Sequence, residues 1–303
     1  MKRALPILLL LVAVASPMFA WGEKGHLIVN EAATLTLPND MPIFFYKSFP
    51  QLVWLGPDPD RWRGAGDAED AVNGPDHFLD YEYISGLKLP RDRYRFIDLL
   101  VKSGTLSRFG IYNSSIGFSP YRIAELSERL TNEWRLWRAS APGSIDRRTV
   151  EQDIIRDAGV LGHYVADASQ PLHATINYNG WILPNPNGYA NDCTIHSRFE
   201  TNFVSRAVDL ADVLPKVEPV PSMRSNYFGA AMEMLYQSNQ EVELLYRIDH
   251  DGGFNLFGPP SRAGVDFTSR RLAVGASMLR DFWWSTWKAS EKPPRRRGAP
   301  VDE

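Results

Sequence analysis

Apolar residues in this chain recur mainly at intervals of three and four, the spacing that puts side chains on one face of a helix. Leu27, Ile28, Ala32 and Leu35 follow it within residues 24–36. Residues 118–139, from Phe118 through Trp137, form a long amphipathic run. Residues 146–169 place Ile154, Ala158, Leu161 and Val165 on one face. Residues 195–211, 226–248 and 262–289 are further helical segments. Alternating runs of the kind that make half-buried strands are scarce, and no repeat of fixed period is present. The pattern predicts an all-α fold.

The segments between are rich in turn formers. Gly56-Pro57-Asp58-Pro59-Asp60 and residues 64–75 read as one long loop region. Pro171 ends the helix before it, because proline lacks the N–H and its ring clashes with the preceding turn. Residues 178–192, with Asn, Gly and Pro throughout, read as a second long loop. Loops of this length usually have a function.

The ends of the chain differ from its middle. Met1-Lys2-Arg3 is a positive start, Ala4 to Ala15 an apolar stretch too short to span a bilayer, and Ser16-Pro17-Met18-Phe19-Ala20 a cleavage-type segment. Residues 1–20 therefore read as a secretory signal peptide. Cleavage after Ala20 makes Trp21 the new N-terminus; Ala13-Val14-Ala15 offers a competing site. Residues 292–303, beginning Lys292-Pro-Pro-Arg-Arg-Arg, read as a solvated disordered tail. The expectation is one helical domain over residues 21–291 in a protein that is secreted or periplasmic.

Of the 303 residues, 44% are hydrophobic and 23% charged, enough apolar material for a sizeable core. A net charge of −3 gives no basic excess to hold a nucleic-acid backbone by counterion release. It leaves room for an enzyme whose positive charge comes from bound ions. The single cysteine, Cys193, excludes an intramolecular disulfide and is expected to be a small buried or half-buried residue. Stability then rests on the core and on any bound metal.

The chemistry concentrates in the six histidines, His26, His77, His163, His173, His196 and His250. His163 and Asp167 are four apart in a helical stretch, as are His196 and Glu200. That spacing sets an imidazole and a carboxylate one helical turn apart, where they can share one ion or let the carboxylate bridge two. His173 returns just after the break at Pro171. His77 follows the acidic loop that carries Asp58 and Asp60. His26 lies close to the predicted new N-terminus, whose free amine and first carbonyl can chelate a metal beside it. Neutral imidazoles with carboxylates suit zinc, and the lack of thiolates argues against a closed structural site. His250, in Ile-Asp-His-Asp-Gly-Gly, reads as a loop residue outside this set.

Trp21-Gly22 with His26, His163-Tyr-x-x-Asp167, Gln170-Pro-Leu-His173 and His196-Ser-Arg-Phe-Glu200, in that order, resemble the superfamily of zinc-dependent phospholipase C and the single-strand-specific zinc nucleases. The resemblance implies an all-α fold with a trinuclear Zn2+ site. One zinc would be held by Asp60, His77, His163 and Asp167, and a second by His173, His196 and Glu200. The third would take the Trp21 amine and carbonyl, His26 and a bridging Asp167. Asp60 would also act as catalytic base toward water. Asp58 competes with Asp60 for the ligand position, and the family's spacing from His77 favours Asp60.

The final His-x-x-x-Glu pair looks like the phospholipase C version. The nucleases typically carry Asp there, with a Gly-Gly-Asn stretch after the Pro-Leu-His motif where this chain has Asn177-Tyr178-Asn179-Gly180-Trp181. The resemblance implies a phosphodiester substrate, either a phospholipid headgroup with transient membrane-surface contact or a single-stranded nucleic acid. No obligate protein partner is evident. The rival reading is a non-catalytic exported zinc-binding protein. Trp62, Phe78, Tyr81, Tyr83, Tyr178 and Trp181 can line a pocket or simply pack in the core.

Overall fold

The computed structural model describes residues 21–294. The segment expected to be a signal peptide, 1–20, and most of the expected tail, 295–303, lie outside them. Among the described residues the architecture is all-α; the only extended pairing is an isolated bridge between Leu79 and Gly117. The helices in chain order are α1 (Gly22–Leu35), α2 (Ile43–Lys47), α3 (Phe49–Leu55), α4 (Asp58–Arg61), α5 (Asp67–Asp76), α6 (Tyr81–Ile84), α7 (Arg93–Lys102) and α8 (Thr105–Phe109). Then follow α9 (Ser119–Ala139), α10 (Ile145–Ser169), α11 (Ile195–Ser197), α12 (Val204–Ala207), α13 (Leu210–Val213), α14 (Tyr227–Gln240), α15 (Val242–His250) and α16 (Arg262–Ala289). A 3-10 turn, Pro171–His173, follows α10, and a π-helical segment, Arg198–Phe203, joins α11 to α12.

The fold is organised around α10. Its start is capped by the Ser144 side chain, which accepts from the backbone N–H of Arg147. From Ala158 to Ser169 every residue is buried, because α1, α3, α9, α14 and α16 all pack against it. Such a helix is apolar all round except where its polar groups have a use. Two buried indoles bond to its carbonyls: Trp283 Nε1 donates to Ala158 at 3.0 Å and Trp21 Nε1 to Ala166 at 2.7 Å. Close approach of α1 requires glycine at 162, where an added Cβ would lie 2.0 Å from Asn30 Oδ1. The Asn30 amide there donates to the carbonyls of Leu52 and Gly159, tying α1 to α3 and α10.

Several sequence expectations need correction. The stretch read as one long loop from Gly56 contains α4 and α5. Pro59 falls in the first turn of α4, where its missing N–H costs nothing. Asp67, Glu69 and Asp70 suit the positive N-terminal end of α5. The segment 195–211 is interrupted at Val208 and Asp209, which are extended, and 226–248 is two helices divided at Glu241. His250 is the exposed last residue of α15 rather than a loop residue, since the helix runs on until the glycine pair at 252–253. Cys193 is exposed, with φ of 58°, because the 178–192 loop turns there on the surface.

The Gly162 contact yields a test. Gly162→Ala forces α1 away from α10 and should destabilise the protein by about 1–3 kcal/mol. Urea denaturation with an unchanged m-value would measure it; a loss under about 0.5 kcal/mol would mean that α1 does not need this approach.

Candidate metal centre

The C-terminal half of α10 brings His163 and Asp167 into the interior, one turn apart, with both side chains fully buried. Five other segments converge on them. α1 delivers His26, whose ring stacks on that of His163 with centroids 3.9 Å apart. α4 delivers Asp60, and the end of α5 delivers His77. The turn after Pro171 delivers His173, and the segment from α11 into the π-helix delivers His196 and Glu200. A π-bulge widens the helix by one residue per turn and is frequent at functional sites. Here the His196 and Glu200 side chains still meet, Nε2 to Oε2, at 2.9 Å.

Three groups result, each with one ligand atom per residue and all such atoms within 4.8 Å of one another: His26, His163 and Asp167; Asp60, His77 and His163; His173, His196 and Glu200. Asp167 lies between them. Its Oδ2 is 3.0 Å from His77 Nδ1 and 3.8 Å from His173 Nδ1, and its Oδ1 is 3.5 Å from His26 Nε2. All members are buried. These are groups that can hold metal ions.

Backbone carbonyls orient the rings. His163 Nδ1 donates to Gly56, His173 Nδ1 to His77 and His196 Nδ1 to Tyr178, at 2.8–3.0 Å. A carbonyl only accepts, so each Nδ1 carries the hydrogen and each Nε2 is left as a ligand atom. The carboxylates are held from one side in the same way. Arg63 Nε donates to Asp60 Oδ1 at 2.9 Å, and Gln170 Nε2 donates to Glu200 Oε2 at 3.0 Å. The opposite atoms, Asp60 Oδ2 and Glu200 Oε1, are buried without a hydrogen-bond partner, as are His26 Nδ1 and Nε2, His77 Nε2, His173 Nε2 and Asp167 Oδ1. Unpaired buried polar atoms are rare in folded proteins and costly. Seven of them around one centre fit a site built for cations.

The titration behaviour has the same cause. Burial pushes the His26 and His77 imidazoles well below the ordinary histidine value, with neighbouring imidazoles adding to the effect, and takes His163 to about 4. Burial pushes the Asp167 carboxyl up to about 8, with Glu200 adding repulsion. Asp60 is raised by burial as well. In the third group burial is outweighed: Asp167 and Glu200 hold His173 above the usual range, Glu200 does the same for His196, and the two imidazoles hold Glu200 below its own.

The centre is reachable. A cavity of about 690 Å³ is lined by His77, His173 and His196, with Arg63, Asp80, Phe78, Tyr83 and Tyr178 around them. Of the six aromatic residues singled out in the sequence, Phe78, Tyr83 and Tyr178 line this cavity. Tyr81 packs on Tyr236, Trp181 on Tyr189 and Tyr246, and Trp62 lies beneath Arg156. Asp60 is in the cluster, whereas Asp58 faces Arg61 and Arg156. His250 belongs to none of the three groups, and its Nδ1 lies 3.3 Å from Asp251 Oδ1. The Trp21 ring is buried beside Ala166 and Phe199, next in sequence to Asp167 and Glu200. Arg63 lines the same cavity three residues after Asp60, which spacing alone does not reveal. Asp80 gave no sequence signal.

No family model matches this chain, and no curated protein matches it. Among solved structures it is similar to an alpha toxin from Clostridium absonum, at 12% identity and a TM-score of 0.47, covering 90% of this chain and 67% of that one. It is also similar to the Clostridium perfringens alpha-toxin from an avian strain, at 13% identity and a TM-score of 0.45, covering 90% of this chain and 65% of that one.

The unpaired ligand atoms predict that the metal-free protein is the less stable form. Zinc or cobalt should raise the melting temperature and chelation should lower it, since each site adds about 2.7 kcal/mol of stability when the free ion stands at 100 times its Kd. Thermal melts over a range of ion concentrations would show this. A melting temperature indifferent to every divalent transition ion would argue against an ion site.

Proposed function

We propose that this chain is an exported, zinc-dependent phosphodiester hydrolase of the phospholipase C type, folded as one catalytic domain over residues 21–291. The carrying observation is the set of three buried His/carboxylate groups with ligand atoms left unpaired, two of which reach a cavity through His77, His173 and His196. The mixed nitrogen and oxygen donors suit zinc; calcium or magnesium would call for oxygen alone. In this reading Asp60, His77, His163 and Asp167 hold one ion and His173, His196 and Glu200 a second. His26, Asp167 and the Trp21 amine and carbonyl hold a third, once the signal peptide is removed.

Bound zinc supplies Lewis-acid charge neutralisation and a water acidic enough to attack at neutral pH. The protein's own residues do the rest. In this reading Asp60 acts as base toward the water while serving as a ligand, with Arg63 bonded to its Oδ1 to hold the carboxylate in place. Arg63 lines the cavity and adds a fixed cation for the phosphate. Leu172, Ile176 and Ile182 give the wall an apolar side. Ile182 is 67% exposed, and Leu183 and Val72, each one residue from the wall in sequence, are 44% and 61% exposed. These support a lipid substrate met in transient contact with a membrane surface. The second reading, a single-strand nuclease, is supported by the Phe78, Tyr83 and Tyr178 rings on the same wall, since any base can stack there.

The discriminating experiment assays the processed, zinc-loaded protein on phosphatidylcholine vesicles and on single-stranded nucleic acid side by side. Release of the phosphorylated headgroup is expected. Nucleotide release alone would support the second reading, and inactivity on both with full zinc content would leave a non-catalytic zinc-binding protein. Asp167→Asn should remove most zinc and activity together, beyond the ~10–100-fold loss typical of an outer-shell partner. Full activity with normal zinc would overturn the assignment.

A pH dependence follows from Asp167. Its carboxyl, pushed up to about 8, must be ionised to bind an ion, so zinc uptake at pH 7 should release a proton. Apparent affinity should fall as pH drops below about 8, by up to ~tenfold per unit. Calorimetry in two buffers of different ionisation enthalpy measures the release; identical heats would contradict it.

A further inference from the structure

We propose that Asn73 is a positioning residue that sets the geometry of the Asp60–His77–His163 ion site; the inference rests on the zinc reading above. Asn73 lies in α5, one helical turn before His77, and is 3% exposed. Its Nδ2 donates to the carbonyl of Pro59, the residue before Asp60, at 2.8 Å. Its Oδ1 accepts from the hydroxyl of Tyr164, the residue after His163, at 3.0 Å. One amide therefore bonds into the two distant segments that carry ligands of this group and sits on the segment that carries the third.

Other forces cannot easily replace this link. α4 is four residues long, a single turn with little stability of its own. The buried residues of α5 are Asn73 and Asp76, both polar, so hydrogen bonds and ion pairs hold α5 in place rather than apolar packing. Asp76 is tied to Arg93 at 3.0 Å and faces Arg122 at 3.7 Å, which fixes α5 against neighbours that carry no ligand. Apart from the His77 ring itself, whose Nδ1 lies 2.9 Å from His163 Nε2, the Asn73 amide is what relates it to the Pro59–Asp60 and His163–Tyr164 segments. The chemistry needs a donor and an acceptor on one planar group. Aspartate in its place would set a second acceptor against the Pro59 carbonyl, and alanine would leave the Pro59 carbonyl and the Tyr164 hydroxyl without these partners.

The test titrates zinc into the metal-free protein against a competing chelator, with zinc content read by elemental analysis. Asn73→Ala should weaken the affinity of one ion class ~10–100-fold, with the class at His173, His196 and Glu200 unchanged. Tyr164→Phe, which keeps the Pro59 bond, should weaken the same class by less. Trp283→Phe, which breaks a buried bond to α10 at Ala158, serves as a control of comparable structural loss and should leave all three ions bound as in wild type. Should Asn73→Ala fail to fold, Tyr164→Phe carries the test. A wild-type titration in both variants, or a parallel weakening of every ion in them and in Trp283→Phe, would overturn the positioning role. Wild-type protein that takes up no zinc would instead overturn the zinc reading itself.

Discussion

Asp167 is the point on which this structure turns. A carboxyl with no exposure, surrounded by imidazoles and near Glu200, sits where an uncompensated charge is expensive. The fold accepts it only where cations or protons offset it. That demand explains why α10, whose buried C-terminal half is otherwise mostly apolar, carries His163 and Asp167 there. It also explains why five separate parts of the chain bring imidazoles and carboxylates to one place instead of leaving them in water.

The ligand atoms are aimed mostly by the backbone. Gly56, His77 and Tyr178 present carbonyls to three imidazoles, and all three lie in irregular or short elements. The long 178–192 loop is therefore more than a connection. Its start orients His196, and the Tyr246 hydroxyl fixes that start by donating to the Asn177 carbonyl and accepting from the Gly180 N–H. Rigid helices supply the platform, and the segments between them set the direction of each ring.

Much of the helical framework is legible in the sequence. α1, α9, α10 and α16 follow the apolar periodicity to within two residues at either end. These are long helices with one face against a large core, so the pattern and the burial agree. Short elements behave otherwise. α4 and α5 are hidden by Gly, Pro and Asp, residues that signal turns in water but are tolerated at helix ends. α5 has almost no apolar face to betray it, since Asn73 and Asp76 are its buried residues. Cys193 reads as a buried residue by type and lies exposed, because its environment is set by where the preceding loop turns.

The sequence by itself determined the kinds of candidate ligand and their order. His163 with Asp167 and His196 with Glu200 are local pairs, and four-residue spacing is enough to put each pair on one helical face. Which distant groups join them was decided only in three dimensions. Spacing from His77 already favours Asp60 over Asp58 as a candidate, and what packing adds is the tilt of a one-turn helix, which buries the one and turns the other to Arg61 and Arg156. The selection of Phe78, Tyr83 and Tyr178 as cavity walls, and the tie from Asn73 to Pro59 and Tyr164, came from packing in the same way. Side-chain direction relative to remote segments depends on how helices pack, and one-dimensional spacing does not encode it.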